Sequence, residues 1–261
     1  MTPLAEAPSR NGPDLCTDVR WETITSRGMV RCIVLVRAWH AAVAMLVVTF
    51  LAVQIGIAVH VPGFPPNVEP GVLRGASLGG RIVRVFSFFT IESNMLCGVV
   101  SALLATKPDG DSPVFRILRL DALFGITVTG IVYATVLAPI HEPKGWAEIS
   151  SNTVFHYVVP IMTVVGWLLF GPRPRITAGV VYRSLLWPVA WLGYTLVRGA
   201  VWNWYPYPFL DVPTHGYGTV AVNCVGVTVV LAGVAALFAW GDGRLPRAPA
   251  RRAESAEVVA W

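Results

Sequence analysis

The chain has 261 residues, of which 54% are hydrophobic and 13% charged, with a net charge of +5 and a mean hydropathy of +0.60. That balance excludes an ordinary soluble domain and describes an all-α, polytopic membrane protein. The basic excess suits an anionic inner leaflet, so membrane lipids are the expected partners and nucleic acid is not.

Residues 1–30 are rich in Pro, Ser, Thr and charge and read as a flexible cytoplasmic tail, with five arginines between Arg10 and Arg37 that argue against a signal peptide. Six apolar stretches follow, near residues 38–60, 85–105, 117–139, 152–170, 180–199 and 216–240. Each is long enough to cross about 30 Å of hydrocarbon at about 1.5 Å per residue. They predict a bundle of six transmembrane helices spanning residues 31–241, followed by a second flexible cytoplasmic tail over 242–261. Fifteen of the twenty Lys and Arg residues then fall on the side of the two termini, which places both in the cytoplasm and the protein in the plasma membrane. No internal repeat of the kind that builds transporters is evident. Cys16, Cys32, Cys97 and Cys224 lack metal-ligand spacing, so neither a zinc site nor a disulfide framework is expected.

Pro62, Pro65, Pro66 and Pro70 predict an extended loop after the first span. The second span opens on Phe-Phe-Thr-Ile-Glu-Ser-Asn from Phe88, a polar run that hydrocarbon tolerates only if it is paired. Thr90, Asn94, Cys97 and Ser101 share one helical face there. Glu92 lies about 200° away from Thr90 and needs another partner, with Arg84, Arg198 or a histidine as candidates. In the fourth span, Thr153, His156, Pro160, Thr163 and Trp167 form a comparable stripe, and Pro160 frees the carbonyl of His156. The topology puts Thr90 and His156 at one depth, about 6 to 9 Å below the same membrane face. Tyr133, His141, Asn152, Arg198, His215, Tyr217 and Asn223 fall in the same half and suggest a polar pocket. Trp202, Trp204, Tyr205 and Tyr207 read either as interfacial anchors or as an aromatic rim around a lipid-binding mouth.

A threonine hydroxyl becomes a useful nucleophile only beside a base, and histidine is the usual one. Thr90 with His156 could therefore attack an ester carbonyl, with Asn94, Asn223 or Tyr217 as donors to the oxyanion and no cofactor or metal required. Each residue has a plainer use as well: membrane threonines bond back to their own helix, histidines bridge helices, and small polar stripes let helices pack closely.

The six-span layout, with Phe-Phe-Thr-Ile-Glu-Ser-Asn at Phe88, Phe-His-Tyr-Val-Val-Pro at Phe155 and Tyr-Pro-Tyr-Pro-Phe-Leu-Asp at Tyr205, resembles the bacterial Pr-six-Pr family of integral membrane proteins. That family is in turn remotely similar to the eukaryotic androgen-induced membrane proteins, which hydrolyse fatty-acid esters of hydroxy fatty acids with an intramembrane threonine and histidine. The resemblance implies Thr90 and His156 as the catalytic pair and a fatty-acid ester as substrate. The alternatives are a lipid- or small-molecule-binding protein, a transporter that uses the same pocket without chemistry, and a structural membrane partner.

Overall fold

The computed structural model describes residues 26–60, 73 and 75–246. The expected tails beyond those bounds, Cys16 and the loop prolines 62, 65, 66 and 70 lie outside the described residues. Regular structure among the described residues is entirely helical. In chain order it comprises α1 (Ser26–His60), α2 (Leu78–Phe86), α3 (Phe89–Thr106), α4 (Pro113–Val132), α5 (Gly145–Thr153), α6 (Val159–Phe170), α7 (Ala178–Ser184), α8 (Leu186–Trp202) and α9 (Val212–Arg244). One widened π turn, Tyr133–Leu137, ends α4, and another, Val154–Val158, joins α5 to α6.

Local chemistry sets several helix boundaries. Ser77, Ser112 and Thr177 each accept a backbone N–H in the first turn of α2, α4 and α7, satisfying donors that no helix can pair internally. Pro113 stands in the first turn of α4, where a missing N–H costs nothing. Asn203 ends α8 in the left-handed conformation at φ 50°.

Among the described residues, five helical segments are long and apolar enough to cross a membrane: Val30–His60, Phe89–Thr106, Pro113–Leu137, Gly145–Phe170 and Val212–Arg244. By length and composition these helices are apolar enough for a helical membrane protein. The expected continuous helix over residues 180–199 is instead two, α7 and α8, broken at Leu185, and α8 at 17 residues is shorter than the other five. Ser184 Oγ, just before that break, donates to the carbonyl of Ile117.

Helix α4 lies at the centre, packed on α3, α6, α7 and α9, while α1 covers α3. Gly98 permits the close approach of α1 to α3, since a Cβ there would stand 2.9 Å from Val47 Cγ1. One apolar cluster, including Val43, Val47, Val100, Ile126 and Val159, fills the space between α1, α3, α4 and α6. A second, with Leu120, Phe124, Trp191, Leu231 and Phe238, joins α4 to α8 and α9.

Arg37, Arg119, Arg173 and Arg175 gather at one end of the bundle. Arg37 donates to the carbonyl of Thr106 at 2.7 Å, Arg119 to Gly171, and Arg173 to Trp167 and Pro246. Arg175 reaches Gly110 and Asp109, and the Asp242 carboxylate accepts the backbone N–H groups of Arg175 and Ile176. These contacts tie Arg37 of α1, the ends of α3, α6 and α9, and the loop before α4 together. Cations there complement exposed helix C-terminal carbonyls.

Candidate functional site

At the opposite end, the first turn of α3 meets the π turn at Val154–Val158 and the loop between α8 and α9. Thr90 Oγ1 stands 3.4 Å from His156 Nε2 and 3.2 Å from the Tyr207 hydroxyl. Both expected partners, on the second and fourth predicted spans, are therefore neighbours.

The backbone explains how His156 is presented. In the π turn, the N–H of Val159 passes over Phe155 and bonds Val154. Residue 160 is proline and has no N–H, so the Phe155 carbonyl receives no donor from its own helix. Asn94 supplies one, its Nδ2 lying 3.2 Å from that oxygen and 2.8 Å from the carbonyl of Thr90. One amide thus bolts the first turn of α3 to the segment that carries His156. Widened turns of this kind are frequent at functional sites because they re-aim side chains.

His156 Nδ1 lies 3.0 Å from the Asn152 carbonyl. A carbonyl only accepts, so Nδ1 carries the proton and Nε2 presents its lone pair to Thr90. Tyr133 stacks on the imidazole, with centroids 3.9 Å apart, and its hydroxyl accepts from Asn152 Nδ2 at 2.6 Å. His141 also meets Tyr133 edge-on, with centroids 6.5 Å apart.

Tyr207 is buried, and its hydroxyl also accepts the backbone N–H of Thr90 at 3.1 Å. Phe88, Trp191 and Phe209 enclose its ring. Burial pushes the phenol up to about 12, against the opposing effect of the Thr90 hydrogen bonds, so it stays protonated at any ordinary pH. The anchor reading therefore fails for Tyr207, whose aromatic loop folds back into the protein. Trp202 remains exposed, Trp204 lies between the guanidinium groups of Arg84 and Arg198 at 5.1 and 4.4 Å, and Tyr205 packs flat on Gly199. The repeated Tyr-Pro pattern marked this loop as unusual, but no spacing rule links position 207 to position 90.

Several residues expected in the pocket stand elsewhere. Glu92 pairs with neither an arginine nor a histidine: its Oε2 accepts from Trp187 Nε1 at 2.9 Å, on the α8 side of α3. Asn94 has both amide hydrogens committed to carbonyls and is a brace with no hydrogen left for an oxyanion. Arg198 is held among Trp202 and Trp204. Asn223 donates to the Phe209 carbonyl at 2.8 Å and so anchors the loop that carries Tyr207. His215 and Tyr217 are exposed at the start of α9. Thr153 is also exposed, because the π turn breaks the helical phase that the fourth-span stripe assumed.

Two apolar hollows flank the pair. Thr90 and Tyr207 stand on the wall of a cavity of about 140 Å³ between α4, α8 and α9, lined by Val128, Trp191, Leu210 and Ala232 among others. His156 lines an open groove on the other side of α4 with Gly130, Ile131, Pro160 and Val164. Among the described residues, no three His, Cys, Asp or Glu side chains gather as metal ligands would. Compared with family models, with curated proteins and with solved structures, the chain matches none.

Proposed function

We propose that this chain is a six-span plasma-membrane protein of the Pr-six-Pr type that hydrolyses a lipid ester, with Thr90 as nucleophile and His156 as general base. The sixth crossing in this reading is α7 with α8, since the chain leaves α6 beside Asp242 and returns at Tyr207 beside Thr90. The positive-inside rule then sets the arginine end in the cytoplasm and the Thr90 end toward the outer leaflet.

The observation that carries the reading is the 3.4 Å approach of Thr90 Oγ1 to the one nitrogen of His156 left free to accept a proton. Catalytic hydrogen bonds are often this long before substrate arrives. In the reaction, Oγ1 bonds to the ester carbonyl carbon while its proton passes to His156 Nε2. His156 then protonates the departing alcohol oxygen as the carbon–oxygen bond breaks. Water, deprotonated by the same imidazole, releases the acid and restores Thr90. The cavity beside Thr90 suits the acyl chain, and the groove beside His156 suits the alcohol it must protonate.

Purified protein is expected to hydrolyse p-nitrophenyl octanoate, with Thr90→Ala and His156→Ala each losing at least about 10²-fold in kcat while remaining folded. Wild-type turnover surviving in either variant would remove the mechanism. The apolar cavity by itself favours a second reading, lipid binding without chemistry. Retention of an octanoyl ester without product would select it.

A further inference from the structure

The hydrogen atoms around Thr90 can be counted, and the count gives Tyr207 a direction. His156 Nδ1 spends its proton on the Asn152 carbonyl, so Nε2 can only accept. For both contacts of Oγ1 to be hydrogen bonds, its single proton points to Nε2. Oγ1 cannot also donate to Tyr207, so across their 3.2 Å contact the phenol is the donor and Oγ1 the acceptor. The phenol oxygen in turn accepts the Thr90 N–H, one of the donors that the first turn of α3 cannot pair within the helix. The bonds therefore run one way, from the Thr90 N–H through Tyr207 and the Thr90 hydroxyl to His156 and the Asn152 carbonyl.

We infer that Tyr207 is a third catalytic residue, the donor that stabilises negative charge first on Thr90 Oγ1 and then on the carbonyl oxygen of the tetrahedral intermediate. This rests on the ester-hydrolase reading and adds what that reading lacks, since Asn94, Asn223 and Tyr217 are all committed or remote. As the Thr90 proton moves to His156, the growing charge on Oγ1 already faces the Tyr207 O–H. Once Oγ1 bonds to carbon it becomes a weaker acceptor, while the carbonyl π pair becomes an oxyanion on that same carbon. The phenol hydrogen then turns to the oxyanion, and it remains covalently on Tyr207 throughout.

The donor is organised in advance, which is where such groups act most strongly. Phe88 and Phe209 pack on the ring with centroids 5.6 and 5.3 Å away, Asn223 clamps the Phe209 carbonyl, and Gly199 is bare so that Tyr205 can lie against α8. An N–H at a helix start that bonds the phenol oxygen polarises the O–H and strengthens it as a donor.

The test is Tyr207→Phe, which keeps the ring and removes the hydroxyl, assayed on p-nitrophenyl octanoate across pH. The expected result is a fall of about 10²- to 10³-fold in kcat, a KM within about threefold of wild type, and an unmoved pH profile, because His156 remains the titrating base. Tyrosine fluorinated on the ring at position 207 is nearly isosteric and a stronger acid, and it should raise kcat. This second variant decides the matter should Tyr207→Phe unfold, because a merely structural tyrosine would be indifferent to its acidity. Wild-type kcat in a folded Tyr207→Phe, or a kcat unchanged or lowered on fluorination, would overturn the inference while leaving Thr90 and His156 in place. Absence of turnover in folded wild type would remove the hydrolase reading and this inference together.

Discussion

Thr90 sits where three kinds of donor and acceptor meet: its own N–H at a helix start, a phenol from a distant loop and an imidazole from another helix. Replacement by serine keeps the hydroxyl and should retain labelling and turnover, whereas Thr90→Val keeps the shape and should lose both. Intact mass after exposure to a hydroxyl-directed probe distinguishes them. Tyr207 carries a separate prediction about pH. Its folded value lies near 12, above the ordinary 10 of the unfolded chain. The stability contributed by the neutral phenol is therefore fully present below pH 10 and is lost as pH rises from about 10 to about 12. Thermal unfolding scans over that window should show an alkaline fall in wild type that is smaller in Tyr207→Phe.

At the scale of elements, the decisive feature is the π turn at Val154–Val158, enforced by Pro160 and braced by Asn94. Pro160→Ala would restore an N–H that competes for the His156 or Phe155 carbonyl and would draw the segment toward regular α-helix. The expected outcome is equal or higher thermal stability with at least about tenfold lower turnover, since His156 would swing away from Thr90. Asn94→Leu should act oppositely on stability, costing about 1 to 3 kcal/mol by leaving a buried carbonyl without a donor. Thr90 and His156 were legible in the sequence because both are polar groups set at a matched depth in apolar helices. Asn94 was legible as a buried polar residue on the Thr90 face, but its role was not, because a π turn depends on how the chain pairs its carbonyls and leaves no period of its own. The same turn exposes Thr153, which a uniform helical count had put beside His156. Tyr207 was hidden for a different reason: an aromatic near the end of a span has the same composition whether it faces lipid or turns inward.

For the molecule as a whole, the cluster of Arg37, Arg119, Arg173 and Arg175 and the Thr90 site are separated by the length of the bundle. The count of spans was less legible. Apolar length alone could not show that residues 178–202 divide at Leu185 into a short helix and a 17-residue one. The cavity between α4, α8 and α9 is apolar and about 140 Å³ in volume. Ala232→Phe would fill it, and the expected effect is a raised KM for octanoyl esters with acetyl esters little changed. The most direct test of the central claim is intact-mass analysis of detergent-purified, folded protein treated with a fluorophosphonate. One adduct on wild type, mapped to Thr90 and lost in both Thr90→Ala and His156→Ala, is the result predicted here. An adduct that persists in Thr90→Ala, or none at all on folded wild type, would contradict it.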